Sequence, residues 1–163
     1  MTVVQEFLKA NEAYASTFHK GDLPMPPARK VAVLTCMDAR IVPARILGLE
    51  EGDAHVIRNA GGRAADALRS LVISEQLLGT THIVVIHHTD CGMLTFSNAD
   101  LHSKLKQDMR TDASHIDFLP FSDLEQSVRD DIALLRNSPL IPKNIDISGF
   151  IYDVKSGKLI PVN

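Results

Sequence analysis

The chain has 163 residues, 45% apolar and 23% charged, with a formal net charge of −3. That balance suits one globular domain burying roughly two-thirds of its unfolded surface and excludes a disordered chain. No apolar run approaches the ~20 residues needed to cross a bilayer, and a negative chain without a block of Lys or Arg gives no footprint for a nucleic-acid backbone, so neither a membrane nor a nucleic acid is expected as a partner.

Met1 to Glu6 has neither the basic start nor the continuous apolar core of a secretory signal, which makes a cytoplasmic location the expectation. Residues 2 to 19 read as an amphipathic helix: Thr2 and Gln5 fit a capping box, and Val4, Phe7, Leu8, Tyr14, Ala15 and Phe18 recur at helical spacing. Gly21 should end it. Pro24, Pro26 and Pro27 then fix φ and remove amide donors, so residues 1–27 form a helix and an extended connector that detaches it from the rest of a single domain spanning 1–163.

Val31 to Leu34 is a buried strand that runs into Thr35-Cys36-Met37-Asp38-Ala39-Arg40. In a locally extended backbone, the thiol, carboxylate and guanidinium on alternate residues would face the same way. Pro43 to Leu47 can make a short helix and Ala54 to Ile57 a second strand, followed by Arg58-Asn59-Ala60-Gly61-Gly62, whose adjacent glycines permit positive φ or a close backbone approach. Ala64 to Leu78 is a helix stopped at Gly79.

The third strand, His82 to His87, empties into His88-Thr89-Asp90-Cys91-Gly92. A polar helix follows around Ser97 to Met109, then a loop from Arg110 to Pro120. Ser122 and Glu125 form a second capping box, opening a helix through Leu135. Ile147 to Val154 and Lys158 to Val162 read as a hairpin turning at Ser156-Gly157. Alternating strands and helices imply right-handed crossovers: a mostly parallel central sheet flanked by helices, with a carboxyl-terminal antiparallel edge strand.

The two cysteines both fall in strand-end motifs. His88 and Cys91 are three residues apart, so an imidazole and a thiolate can close on one ion across a turn, and Cys36 completes a Cys2His set. Two thiolates and an imidazole suit zinc, and three protein ligands leave a fourth position for solvent. His87, adjacent to His88 on a strand, should point to the other face and act structurally. The 55-residue separation of the cysteines argues against a thiol redox pair.

Cys36-x-Asp38-x-Arg40 followed by His88-x-x-Cys91 resembles the β-class carbonic anhydrases. Arg58-Asn59-Ala60-Gly61, His88 to Met93, Ser138 to Pro142 and Gly149 to Asp153 are similar to the short archaeal and bacterial branch of that family. The resemblance implies one zinc per chain on Cys36, His88 and Cys91, reversible hydration of carbon dioxide to bicarbonate and a proton by a zinc-bound hydroxide, and a homodimer or dimer-based tetramer with the first helix lying on the partner. It implies catalytic roles for Asp38 and Arg40. In an open arrangement Arg40 holds Asp38 off the zinc, and in a closed one Asp38 takes the fourth position. Gly61 is a candidate for the substrate pocket, and Asp90 either caps its turn or orients a ligand. Where plant-type members place a substrate-binding glutamine this chain has Glu50-Glu51. The competing readings are a carbon disulfide or carbonyl sulfide hydrolase using the same site, and a catalytically silent zinc-binding scaffold.

Overall fold

The computed structural model describes residues 1–163. Its elements are α1 (Val3–Ser16), β1 (Val31–Cys36), α2 (Pro43–Leu47), β2 (Ala54–Asn59), α3 (Ala64–Leu78), β3 (His82–His88), α4 (Asn98–Met109), α5 (Leu124–Asn137), β4 (Asp146–Tyr152) and β5 (Leu159–Val162), with 3₁₀ turns at Ala60–Gly62 and Gly92–Leu94. The five strands form one sheet in the order β2-β1-β3-β4-β5. β2, β1, β3 and β4 run parallel, and β5 is the antiparallel edge.

The core follows from two amphipathic helices. Ala64, Ala67 and Leu71 of α3 and Val128, Ile132 and Leu135 of α5 bury their stripes against Ala32 and Leu34 of β1 and Ile83 and Val85 of β3. α5 sits close on the sheet because Gly149 has no side chain: a Cβ there would lie 2.5 Å from Ile132 Cδ1 and 2.6 Å from Val128 Cγ1.

From β1 the chain passes to β2 on one side and then to β3 on the other, so the order reverses between β1 and β3. The β1–β3 ladder stops at Thr35 and Ile86, whereas β1 continues along β2 to Cys36 opposite Asn59, and β3 continues along β4 to His88 opposite Tyr152. Past the last shared pair, each strand follows its outer neighbour. This leaves a crevice at the carboxyl ends, the place where open α/β sheets bind ligands.

Several element ends differ from the sequence reading. α1 stops at Ser16, not at Gly21, because the Thr17 and Phe18 amides bond back to Tyr14 and Ala15 in a closing turn. Its Thr2–Gln5 capping box is present, and none of its residues is buried in the protomer. β2 and β3 run longer than expected, drawn out by pairing with β1 and β4. α5 is capped by Asp123, whose carboxylate accepts the Gln126 N–H at 2.9 Å, rather than by Ser122, and it continues to Asn137. β4 ends at Tyr152 because Asp153 turns the chain by accepting from Lys155 N–H and the Ser156 hydroxyl. No helix is long and apolar enough to cross a membrane.

Candidate metal centre

Cys36 ends β1, His88 ends β3, and Cys91 lies one turn further on. Their ligand atoms all fall within 4.8 Å of one another, and all three residues are buried. His88 Nδ1 is committed to the Thr89 carbonyl at 2.8 Å, which turns Nε2 toward the sulfurs. That Nε2 is buried without a hydrogen-bond partner. An unsatisfied polar atom in a protein interior costs free energy, and a cation among two thiols and an imidazole supplies the missing partner. The donor set fits a borderline-soft divalent ion.

The acid–base character of the three residues is linked. The neighbouring Cys91 thiol, opposed by burial but assisted by His88 and the Gly61 N–H, brings the Cys36 pKa down to about 4. The Cys36 thiolate and burial push Cys91 up in turn. Burial works against charge on His88, yet the Cys36 thiolate and the Thr89 carbonyl outweigh it, so its pKa is raised. Proton and metal therefore compete for the same pocket.

Asp38 reaches the centre by a turn, not by the extended backbone expected from the alternate spacing. Ile41 N–H bonds the Asp38 carbonyl, and Arg40 N–H bonds Asp38 Oδ1 at 2.9 Å. The guanidinium then closes a fork on the same carboxylate: Nε on Oδ1 at 3.0 Å and Nη2 on Oδ2 at 2.8 Å. Arg40 accordingly holds the Asp38 carboxyl well below the usual carboxylate range. Asp38 Oδ2 lies 3.8 Å from His88 Nε2. From β2, Arg58 secures the backbone of this loop, donating to the Cys36 carbonyl at 3.0 Å and the Asp38 carbonyl at 2.7 Å.

The glycine turn after β2 presses on the centre. Gly61 N–H donates to Cys36 Sγ at 3.3 Å, and a Cβ on Gly61 would meet Met93 and Phe121 at 2.9 and 3.2 Å. Behind it lies a buried polar network. His87 approaches Ser127 Oγ with Nδ1 at 2.7 Å and Asp131 and the Gly62 carbonyl with Nε2 at 3.1 and 3.2 Å. Asp131 also accepts from Arg63 Nη2 at 2.9 Å and from Ala64 N–H at 3.0 Å. Burial resists ionisation of Asp131, but the bonds from His87 and Ala64 and the Arg63 charge lower its pKa overall. His87 thus faces away from His88, as the alternation requires.

The sequence reading did not anticipate Arg63, Asp131 or Ser127. A usable signal was present: Leu124, Ser127, Val128, Asp131, Ile132 and Leu135 share one face of α5, so two polar side chains stand on a stripe that must be buried. Glu50 and Glu51 also acquire a place, pairing with Lys20 at 3.5 and 2.6 Å and tying the segment just after α1 to the turn before β2.

The carbonic anhydrase family model matches residues 31–159. Beta-carbonic anhydrase 1 of Mycobacterium tuberculosis is 44% identical, covering 98% of this chain and 97% of its own. A carbon disulfide hydrolase of Saccharolobus solfataricus is 38% identical, covering 96% and 87%. Among solved structures, a carbonic anhydrase from Streptococcus mutans superposes with a TM-score of 0.95 at 57% identity, covering 100% of this chain and 99% of that one.

Proposed function

The chain belongs to the β-class carbonic anhydrase family, and on that premise we propose that it interconverts carbon dioxide with bicarbonate and a proton at one zinc ion held by Cys36, His88 and Cys91. The observation that carries this reading is the buried, unpartnered His88 Nε2 facing two thiols, with the Asp38 carboxylate 3.8 Å away. Zinc, when bound, supplies a hydroxide nucleophile at neutral pH by lowering the pKa of water to about 7.

The protein's own groups do the rest. Asp38, kept ionised by Arg40, accepts a hydrogen bond from the attacking water and orients it toward the substrate carbon. Arg40 holds the carboxylate in a two-point fork, which supports the open arrangement in which Asp38 would stay off a bound zinc. Gly61 N–H draws charge from the Cys36 thiolate, and Gly61 packs against Met93 and Phe121 beside it. The proton released goes to bulk solvent.

A purely structural zinc site needs neither Asp38 nor Arg40, which sets the silent scaffold aside. The hydrolysis of carbon disulfide or carbonyl sulfide is the second reading, favoured by the 38% identical relative named for carbon disulfide. A side-by-side assay on the three gases tests the choice. Carbon dioxide should be turned over at least a hundredfold faster than the sulfur compounds, and the opposite order refutes the proposal. Asp38→Ala should keep its zinc yet lose most turnover; undiminished turnover contradicts the orienting role.

We also propose a homodimer or a dimer-based tetramer. Val4, Phe7 and Leu8 of α1 are each more than half exposed in the protomer, and Tyr14 and Phe18 continue the same surface. An apolar stripe of this extent belongs against a second surface. Light scattering should return at least twice the 17.9 kDa of one chain; an active monomer refutes it. The two cysteines are not joined in a disulfide, the state a reducing cytoplasm maintains.

A further inference from the structure

Asp90 stands between the two ligands of the second motif and is one of four non-glycine residues with positive φ, at +54°. Its side chain is largely exposed, so burial does not account for this conformation. An observed backbone outlier beside a functional centre invites a functional explanation. The contacts provide one. Asp90 Oδ2 accepts from Arg40 Nη1 at 2.8 Å, and the Asp90 carbonyl accepts from Arg40 Nη2 at 2.9 Å. In this left-handed turn a carboxylate oxygen and the carbonyl oxygen of Asp90 both face one guanidinium.

Arg40 therefore has partners on two sides. Nε and Nη2 grip Asp38, two residues away on the loop of Cys36, while Nη1 and Nη2 grip Asp90 on the turn that carries His88 and Cys91. With Asp38 as its sole partner, an arginine 47% exposed could leave the crevice at small cost. Anchored on Asp90, its planar fork is fixed before Asp38 meets it, and a prearranged donor loses less side-chain entropy for each bond it makes.

We infer that Asp90 is a positioning residue: its carboxylate and its carbonyl fix the Arg40 guanidinium, and through Arg40 they keep the Asp38 carboxylate in its working orientation beside the metal centre. The inference rests on the carbon dioxide hydratase reading for its catalytic consequence, though not for its structural one. It also gives Asp90 a more specific duty than capping its turn.

The test uses full-length, zinc-loaded protein and the variants Asp90→Gly and Asp90→Asn, since both residues tolerate φ near +54° and so leave the turn intact. Zinc content and thermal midpoint should stay at the wild-type level. Hydrogen exchange at Arg40 Nε–H, followed by NMR, should quicken about threefold or more in Asp90→Gly and less in Asp90→Asn, which keeps a side-chain oxygen acceptor; exposed charged pairs have effects of this order. The turnover number for carbon dioxide should fall by a similar factor, and Asp90→Gly should produce no further fall in an Asp38→Ala background.

Unchanged exchange at Arg40 in Asp90→Gly overturns the inference, whatever the enzyme's activity. Faster exchange with undiminished turnover, or an equal fall in the Asp38→Ala background, overturns the link through Asp38. A wild-type protein that does not hydrate carbon dioxide refutes the proposed function instead, and the exchange measurement then still decides whether Asp90 fixes Arg40.

Discussion

Gly62 is where backbone geometry and the metal centre meet most tightly, and Gly62→Ala should damage both. The residue has φ of +65°, and an added Cβ would sit 2.9 Å from the Thr35 carbonyl carbon and 3.0 Å from Cys36 N. These are backbone atoms of β1 and cannot rotate aside. The left-handed conformation costs an L-residue about 1–2 kcal/mol, and forcing a methyl group into a packed site adds about 1–3 kcal/mol, so the loss should lie at roughly 2–5 kcal/mol. Gly79→Ala isolates the first contribution: φ is +74° there, but nothing lies within 4 Å of the added carbon. Urea denaturation of the two variants should show Gly62→Ala to be worse by at least about 1 kcal/mol. Relief of the clash must push the end of β1 away from the turn and move Cys36 relative to His88 and Cys91. Zinc affinity, measured by competition with a chromophoric chelator, should therefore fall about tenfold or more in Gly62→Ala, the scale seen when support around a metal site is disturbed. Equal destabilisation by the two alanines, with wild-type zinc affinity in Gly62→Ala, would refute the reasoning.

Two further predictions concern buried charge. Both carboxylate oxygens of Glu75 are buried without a partner, and burial pushes its pKa up to about 7 from 4.5. The unfolded chain then releases this proton at lower pH than the folded one, so stability should fall as pH rises from about 4.5 to about 7, by up to about 3 kcal/mol. Glu75→Gln should remove that slope, giving a larger advantage over wild type at about pH 8 than at about pH 5 in urea titrations; an equal difference at the two pH values contradicts it. Asp131→Ala should cost about 3–5 kcal/mol because it strips a counter-charge from the largely buried Arg63 and leaves His87 and Ala64 N–H short of an acceptor. A loss below about 1 kcal/mol would mean that solvent replaces the carboxylate.

The parts legible in the sequence are those whose physics is local. Four apolar residues before Thr35 and four before His87 announce strands, and the three-residue step from His88 to Cys91 announces two converging side chains because one turn brings them together. The same locality explains the Thr2 and Gln5 cap on α1. Contacts that depend on register were not legible. Nothing within fifty residues of Arg40 points to Asp90, and Asp131 meets His87 only because α5 packs across β3. Buried polar residues on otherwise apolar helical stripes, Asp131 on α5 and Glu75 on α3, are the one class of long-range feature that periodicity could have flagged.

Register also decides which histidine stands at the candidate metal centre. Thr35 pairs with Ile86, so continued pairing would set Cys36 level with His87. The β1–β3 ladder ends at that pair, and beyond it β1 is held by β2 and β3 by β4. With no ladder between them, Cys36 and His88 are free of the alternation that would otherwise separate them, and the switch in strand order becomes the opening in which their ligand atoms converge. His87 fills the space left on the α5 side, where Ser127 and Asp131 satisfy its two nitrogens. The sheet topology thus divides two adjacent histidines between two places: one ring closes the interior beneath the crevice, and the other turns its unpartnered nitrogen toward the two cysteines.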